Sequence, residues 1–146
     1  MLTKHENNTL KFDHSIKTHD YLYLNKQPRS HRLLLYKKLI TNNCLDKSLY
    51  SFTKHKDPVK LDSNYELPWI NTEKDYTAYG FDQDIYEKPY NVTGCSIVSE
   101  TNDNDTDVFM TEKIWKPIVA GHVFIVHGNY RYLEKLKEMG YKTFES

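Results

Sequence analysis

Short apolar runs alternate with stretches of helical spacing along much of this chain, and that alternation limits its fold more than any motif does. Asp20–Leu24 (Asp-Tyr-Leu-Tyr-Leu) reads as a buried strand closed by the turn signals Asn25 to Pro28. Ser30 is then placed as the N-cap of a helix whose apolar positions Leu33, Leu34, Tyr36, Leu39 and Ile40 recur at helical period, with Asn42-Asn43 as the stop. Leu49–Phe52 is a second short strand and Cys95–Ser99 a third. An acidic loop over 101–107 follows, and Thr111 caps a helix through Ile114, Trp115 and Ile118 that Pro117 ends early or kinks. His122–Val126, between Gly121 and Gly128, is the clearest strand. Tyr130–Met139 is an amphipathic helix with Tyr132, Leu133, Leu136 and Met139 inward, closed by Gly140, and Lys142–Phe144 is a last short strand. Strands alternating with helices predict a three-layer α/β domain around a mostly parallel sheet. Ligands in such sheets sit beyond the carboxyl ends of the strands, which points to Asn25–Arg32, Glu100–Lys113 and His127–Arg131.

At 146 residues the chain has the length of one ordinary domain. Residues 1–19 are polar and aperiodic, a tail or linker, so the domain spans 20–146. Within it, 53–93 is an insertion with three prolines and no clear period, where one or two irregular helices are expected. Twenty basic residues balance twenty acidic ones, so no overall field draws the chain to nucleic acid or an anionic membrane. No apolar run is long enough to cross a bilayer and residues 1–20 lack a signal peptide's apolar core, which predicts a cytoplasmic protein. Cys44 and Cys95 form no paired-cysteine motif and read as two buried thiols.

Three clusters carry chemistry. Thr111-Glu112-Lys113 opens a helix after a strand and a loop, where backbone N–H groups and the Lys113 charge suit a diphosphate and Glu112 suits ribose hydroxyls. An ordinary capped helix is the plain alternative. Asn25 to Arg32 sets Lys26, Arg29, His31 and Arg32 at a strand-to-helix turn, where guanidinium forks could neutralise a leaving diphosphate without a metal. A solvated basic turn would look the same. Arg32 and Lys113 are expected to converge at one rim. The Asp-x-Asp triplets at 82–84, 103–105 and 105–107 could hold a divalent cation, but the calcium-loop pattern fails at Val108 and Ile114, leaving a solvated acidic loop and no assigned metal. There is no GxGxxG, Walker loop, HExxH or GxSxG.

Phe109-Met110-Thr111-Glu112-Lys113 and the run Ile114 to Gly128 resemble the donor-binding segment of the α-1,3/1,4-fucosyltransferase family. Asn25 with Arg32 and its helix, and Ser96–Glu100 as a strand ending in Glu, are similar to two further segments of that family. The pattern looks closer still to glycosyltransferase-like proteins of phages and large viruses, which would place the chain in an infected host cell. The likeness covers roughly 20–52 and 94–144. It implies a Rossmann-like domain, as in the C-terminal half of a GT-B glycosyltransferase, that needs no metal and takes a nucleoside-diphosphate sugar, a GDP-sugar above others. Asn25, Arg29, Arg32, Phe109, Thr111, Glu112 and Lys113 would bind the donor, and Glu100 or His127 would serve as base for an acceptor hydroxyl. An acceptor domain or a second copy would complete the site. Phe109 stands where the family commonly has Tyr, and Lys116-Pro117 is unlike most of its members. Alternatives are a noncatalytic nucleotide- or glycan-binding module and an exostosin-like transferase.

Overall fold

A computed structural model describes residues 9–52, 69–70, 72, 84–104 and 107–143. The elements run β1 (His19–Asn25), α1 (Ser30–Thr41), β2 (Leu49–Phe52), β3 (Trp69–Ile70), α2 (Glu87–Val92), β4 (Thr93–Ser99), α3 (Glu112–Val119), β5 (Val123–His127) and α4 (Tyr132–Glu138). The sheet order is β3-β2-β1-β4-β5. Four strands are parallel, and β3 pairs antiparallel with β2 at the edge. This is a three-layer, Rossmann-like α/β domain.

Alternation along the strands sorts the core into two faces. Tyr23 of β1 points one way and packs with Leu33 and Tyr36 of α1, Phe52 of β2 and Ile97 of β4. Leu22 points the other way, against Ile85, Tyr90 of α2 and Ala120. On that second face, Val98 meets Ile114 of α3 and Tyr132 and Leu136 of α4, with Phe124 and Val126 beside them. Tyr132 and Leu136 are one helical turn apart, which defines the inward stripe of α4. Leu133 is 41% and Met139 50% exposed, so neither faces inward as the pattern suggested: Leu133 lies about 100° round the helix from Tyr132, and Met139 is the C-cap.

Other boundaries move by small amounts. Arg29, not Ser30, is the N-cap of α1, and its side chain makes no capping bond. Leu34 and Ile40 are exposed, because α1 meets the sheet along the Leu33–Tyr36 line. Thr111 caps α3 as expected, its hydroxyl accepting from the Lys113 N–H. Pro117 lies within α3, which ends two residues later through Gly121 at φ 62°. The last strand begins at Val123, because His122 is turned inward, with Nε2 on the Thr93 carbonyl at 2.7 Å and Nδ1 on Ser96 Oγ at 2.8 Å. Helix α2 is the irregular helix described in the 53–93 insertion, most of which lies outside the described residues. Lys142 and Thr143 are not in a strand, and Phe144 lies outside the described residues.

The stretch read as a tail is docked from residue 9 onward. Leu10 and Phe12 pack against the Leu22–Tyr90 cluster, the Thr18 N–H donates to the Val92 carbonyl at 2.9 Å, and His14 Nε2 donates to the Ala120 carbonyl at 2.7 Å. Polar composition concealed this, since only two apolar side chains carry the contact. Cys44 and Cys95 are free and half-buried rather than buried. Among the described residues no helix is long and apolar enough to cross a membrane.

Candidate functional site

Neighbouring parallel strands β1 and β4 send their chains to opposite sides: β1 leads through α1 to β2, and β4 through α3 to β5. Their carboxyl-end loops therefore part and leave a crevice, the switch point at which open α/β sheets hold ligands. Here it is a cavity of about 410 Å³ between residues 27–31 and 101–104. That volume falls within the range of small-molecule sites.

Glu100, the first residue beyond β4, organises both walls. Its side chain is fully buried, and its carboxylate accepts from the Thr111 N–H (3.1 Å), Thr111 Oγ1 (2.6 Å), Tyr132 Oη (2.5 Å) and the Thr101 N–H (3.3 Å). Burial, then the carboxylate beside it, pushes the Tyr132 phenol far above its ordinary range, so it remains a donor. Gly128 makes the approach possible: a Cβ there would lie 3.0 Å from Tyr132 Cδ2 and 3.4 Å from Glu100 Cβ. The Glu100 carbonyl accepts from Arg32 Nη2 (3.1 Å) and His31 Nε2 (3.0 Å), and its N–H donates to the His127 carbonyl at 2.9 Å. With four donors on the carboxylate and no exposure, Glu100 is a positioning residue rather than the base the sequence suggested.

The two cations expected to share a rim reach adjacent loop residues from opposite faces of the sheet. Arg32 is 2% exposed and spends its fork on the carbonyls of Gln27 (3.2 Å) and Glu100, while burial and then Arg29 lower its pKa. It opens onto neither cavity, so its expected contact with a diphosphate is not available. Arg29, three positions earlier and exposed, lines the large cavity instead: Nη1 donates to the Thr101 carbonyl at 3.3 Å and Nη2 to Gln27 Oε1 at 3.2 Å. From the other side Lys113 Nζ lies 3.4 Å from Thr101 Oγ1, 3.1 Å from Thr111 Oγ1 and 2.9 Å from Glu112 Oε1. Thr101 is thus the meeting point of Arg29 and Lys113.

Glu112 and Lys113 also border a second, smaller cavity of about 70 Å³, floored by Leu22, Leu24 and Val98 on the α3 side of the sheet, with Lys26 and Lys116 at its edge. Asn25 ends β1 at 1% exposure, and neither of its amide atoms has a well-formed hydrogen bond. It sits near Tyr23, whose phenol burial pushes up to about 12. Phe109 is half exposed, its N–H held by Asn129 Oδ1 at 3.1 Å.

His127 ends β5 with Nδ1 buried and unpartnered, and burial, then His31, holds its pKa below the usual histidine value, so it is neutral near pH 7. His31, named in the basic turn but given no role there, lines the large cavity: its ring lies edge-on to His127 at 5.6 Å, and its Nδ1 is 3.8 Å from Asp103 Oδ1. Asn129 was also missed. It donates from Nδ2 to the Asn104 carbonyl (2.5 Å) and Oδ1 (2.9 Å), tying the loop after β4 to the loop after β5. The only advance signal for His31 was its place in the Arg29–Arg32 turn, and for Asn129 its place just after the clearest strand.

Among the described residues no group of three or more His, Cys, Asp or Glu side chains could hold a metal ion. Asp82, Asp105 and parts of each Asp-x-Asp triplet lie outside the described residues. Comparison with protein-family models, with curated proteins and with solved structures returns no match.

Proposed function

We propose that this domain is the donor-binding half of a glycosyltransferase, holding the diphosphate of a nucleoside-diphosphate sugar, GDP-linked by preference, across Thr101. The observation that carries the reading is the convergence of Arg29 and Lys113 on Thr101, at the switch point and beside a cavity of about 410 Å³. A fixed guanidinium and an ammonium would stabilise charge as a diphosphate departs, which asks for no metal. Asn25, which the sequence also assigned to the donor, is buried at the end of β1 and lines neither cavity. Arg32 supports the loop from beneath, and Glu100 orients Thr111 and through it Lys113. Glu100 is occupied, which leaves His127, with its unpartnered Nδ1, or a group from another domain or a second copy as the acceptor-activating base.

That occupation favours a second reading, a noncatalytic nucleotide-binding module, on the same residues. Calorimetric titration with GDP and UDP tests the common core. Arg29→Ala and Lys113→Ala should each weaken binding about tenfold or more, since a charge-assisted contact is worth roughly 1.5–3 kcal/mol. Equal affinity in the native protein and both variants would sink the reading. Transfer or hydrolysis of a labelled donor sugar separates enzyme from module.

A further inference from the structure

The crevice already holds an anion of its own. Asp103 lines the large cavity opposite the first turn of α1, where the N-cap side chain makes no capping bond, and its Oδ1 lies 3.8 Å from His31 Nδ1. His31 Nε2 is committed to the Glu100 carbonyl, an acceptor, so Nε2 carries a proton and Nδ1 is the nitrogen turned to the carboxylate. Among the described residues, Arg29 and His31 stand across the cavity from Asp103, His127 lies behind His31, and Lys113, paired with Glu112, lies on the far side of Thr101.

Asp103 is also held in place. Two residues before it, Thr101 is tied by its N–H to Glu100 Oε2 and by its carbonyl to Arg29. One residue after it, Asn104 is bound twice by Asn129. A carboxylate on a short span held at both ends stays on the cavity wall beside His31.

We infer that Asp103 is autoinhibitory: its half-exposed carboxylate lines the crevice beside the proposed diphosphate site and repels an incoming phosphate group. The inference rests on the proposed diphosphate site and adds its regulation: affinity is held down by the protein's own acidic loop. Removing the charge while keeping the side chain's shape removes a like-charge repulsion of several ångströms' range.

The test is calorimetric titration of inorganic pyrophosphate into the full chain and into Asp103→Asn, at one low ionic strength. Asp46→Asn, an exposed carboxylate in the turn after α1, controls for net charge. The expected result is binding about fivefold or more tighter in Asp103→Asn, with Asp46→Asn close to the native protein. Equal or weaker binding in Asp103→Asn overturns the inference, as does equal tightening in Asp46→Asn. Pyrophosphate binding to neither the native chain nor Asp103→Asn overturns the diphosphate site itself, which distinguishes that failure from the first. Asp103→Ser is a second variant with the same expected direction.

Discussion

Replacing Glu100 with Gln removes one charge from a fully buried side chain and leaves its shape almost unchanged. The native carboxylate receives four donors, two from Thr111 and one each from Tyr132 and Thr101. A Gln amide has one acceptor oxygen, which can keep the Thr111 N–H and the Tyr132 hydroxyl, and an NH₂ that now faces the Thr101 N–H and the Thr111 hydroxyl. Thr111 Oγ1 already accepts from the Lys113 N–H and Nζ, so it cannot fully absorb the new donor. One lost bond to a charged acceptor costs about 1.5–3 kcal/mol and one stranded buried donor about 1–3 kcal/mol, roughly 2.5–6 kcal/mol together. Against a total stability of about 5–15 kcal/mol this is a large fraction. Urea unfolding followed by circular dichroism measures it as a drop in midpoint at unchanged slope. A loss below about 1 kcal/mol would refute the assignment of Glu100 as the organiser of the two loops.

Gly128→Ala should act on the same group from the other side. The new methyl meets the Tyr132 ring at 3.0 Å and moves its hydroxyl off Glu100, at a cost of about 1–3 kcal/mol; an unchanged melting temperature would show that the ring is not confined there. Stability should also fall on mild acidification. Burial holds His122 and His127 below the histidine value of 6.5, so the unfolded chain binds more protons than the folded one as pH drops past that value. The stabilisation is complete above about pH 6.5 and is lost as pH falls through 6.5 toward the lower folded values. Scanning calorimetry at pH 7.5, 6.5 and 5.5 reads this out, and a flat melting temperature over that window contradicts it.

The strands β1, β2, β4 and β5 and the helices α1, α3 and α4 could all be placed from sequence to within a few residues, because each is announced by local pattern: apolar runs, caps, and turn residues such as Asn43 and Gly140 at positive φ. The two-residue β3 has too little sequence to carry a pattern. Residues 9–18 dock through Leu10, Phe12 and backbone bonds, which composition does not register. In the site, the relevant loops were legible from strand ends alone, whereas the work of each side chain was not. Arg29 and Arg32 sit in one basic turn and look equivalent, yet one is exposed and the other 2% exposed.

The sequence by itself determined the alternation of strand and helix, from which a parallel sheet and the three strand-end loops that a ligand could reach follow by rule, since that alternation is written in the pattern of near neighbours along the chain. Only the tertiary structure decided that Glu100 is spent on Thr111 and Tyr132, that Arg29 rather than Arg32 shares Thr101 with Lys113, and that Asp103 faces His31. Each of those depends on which partner a side chain meets across the fold, and a hydrogen bond between residues tens of positions apart leaves no periodic trace in the chain.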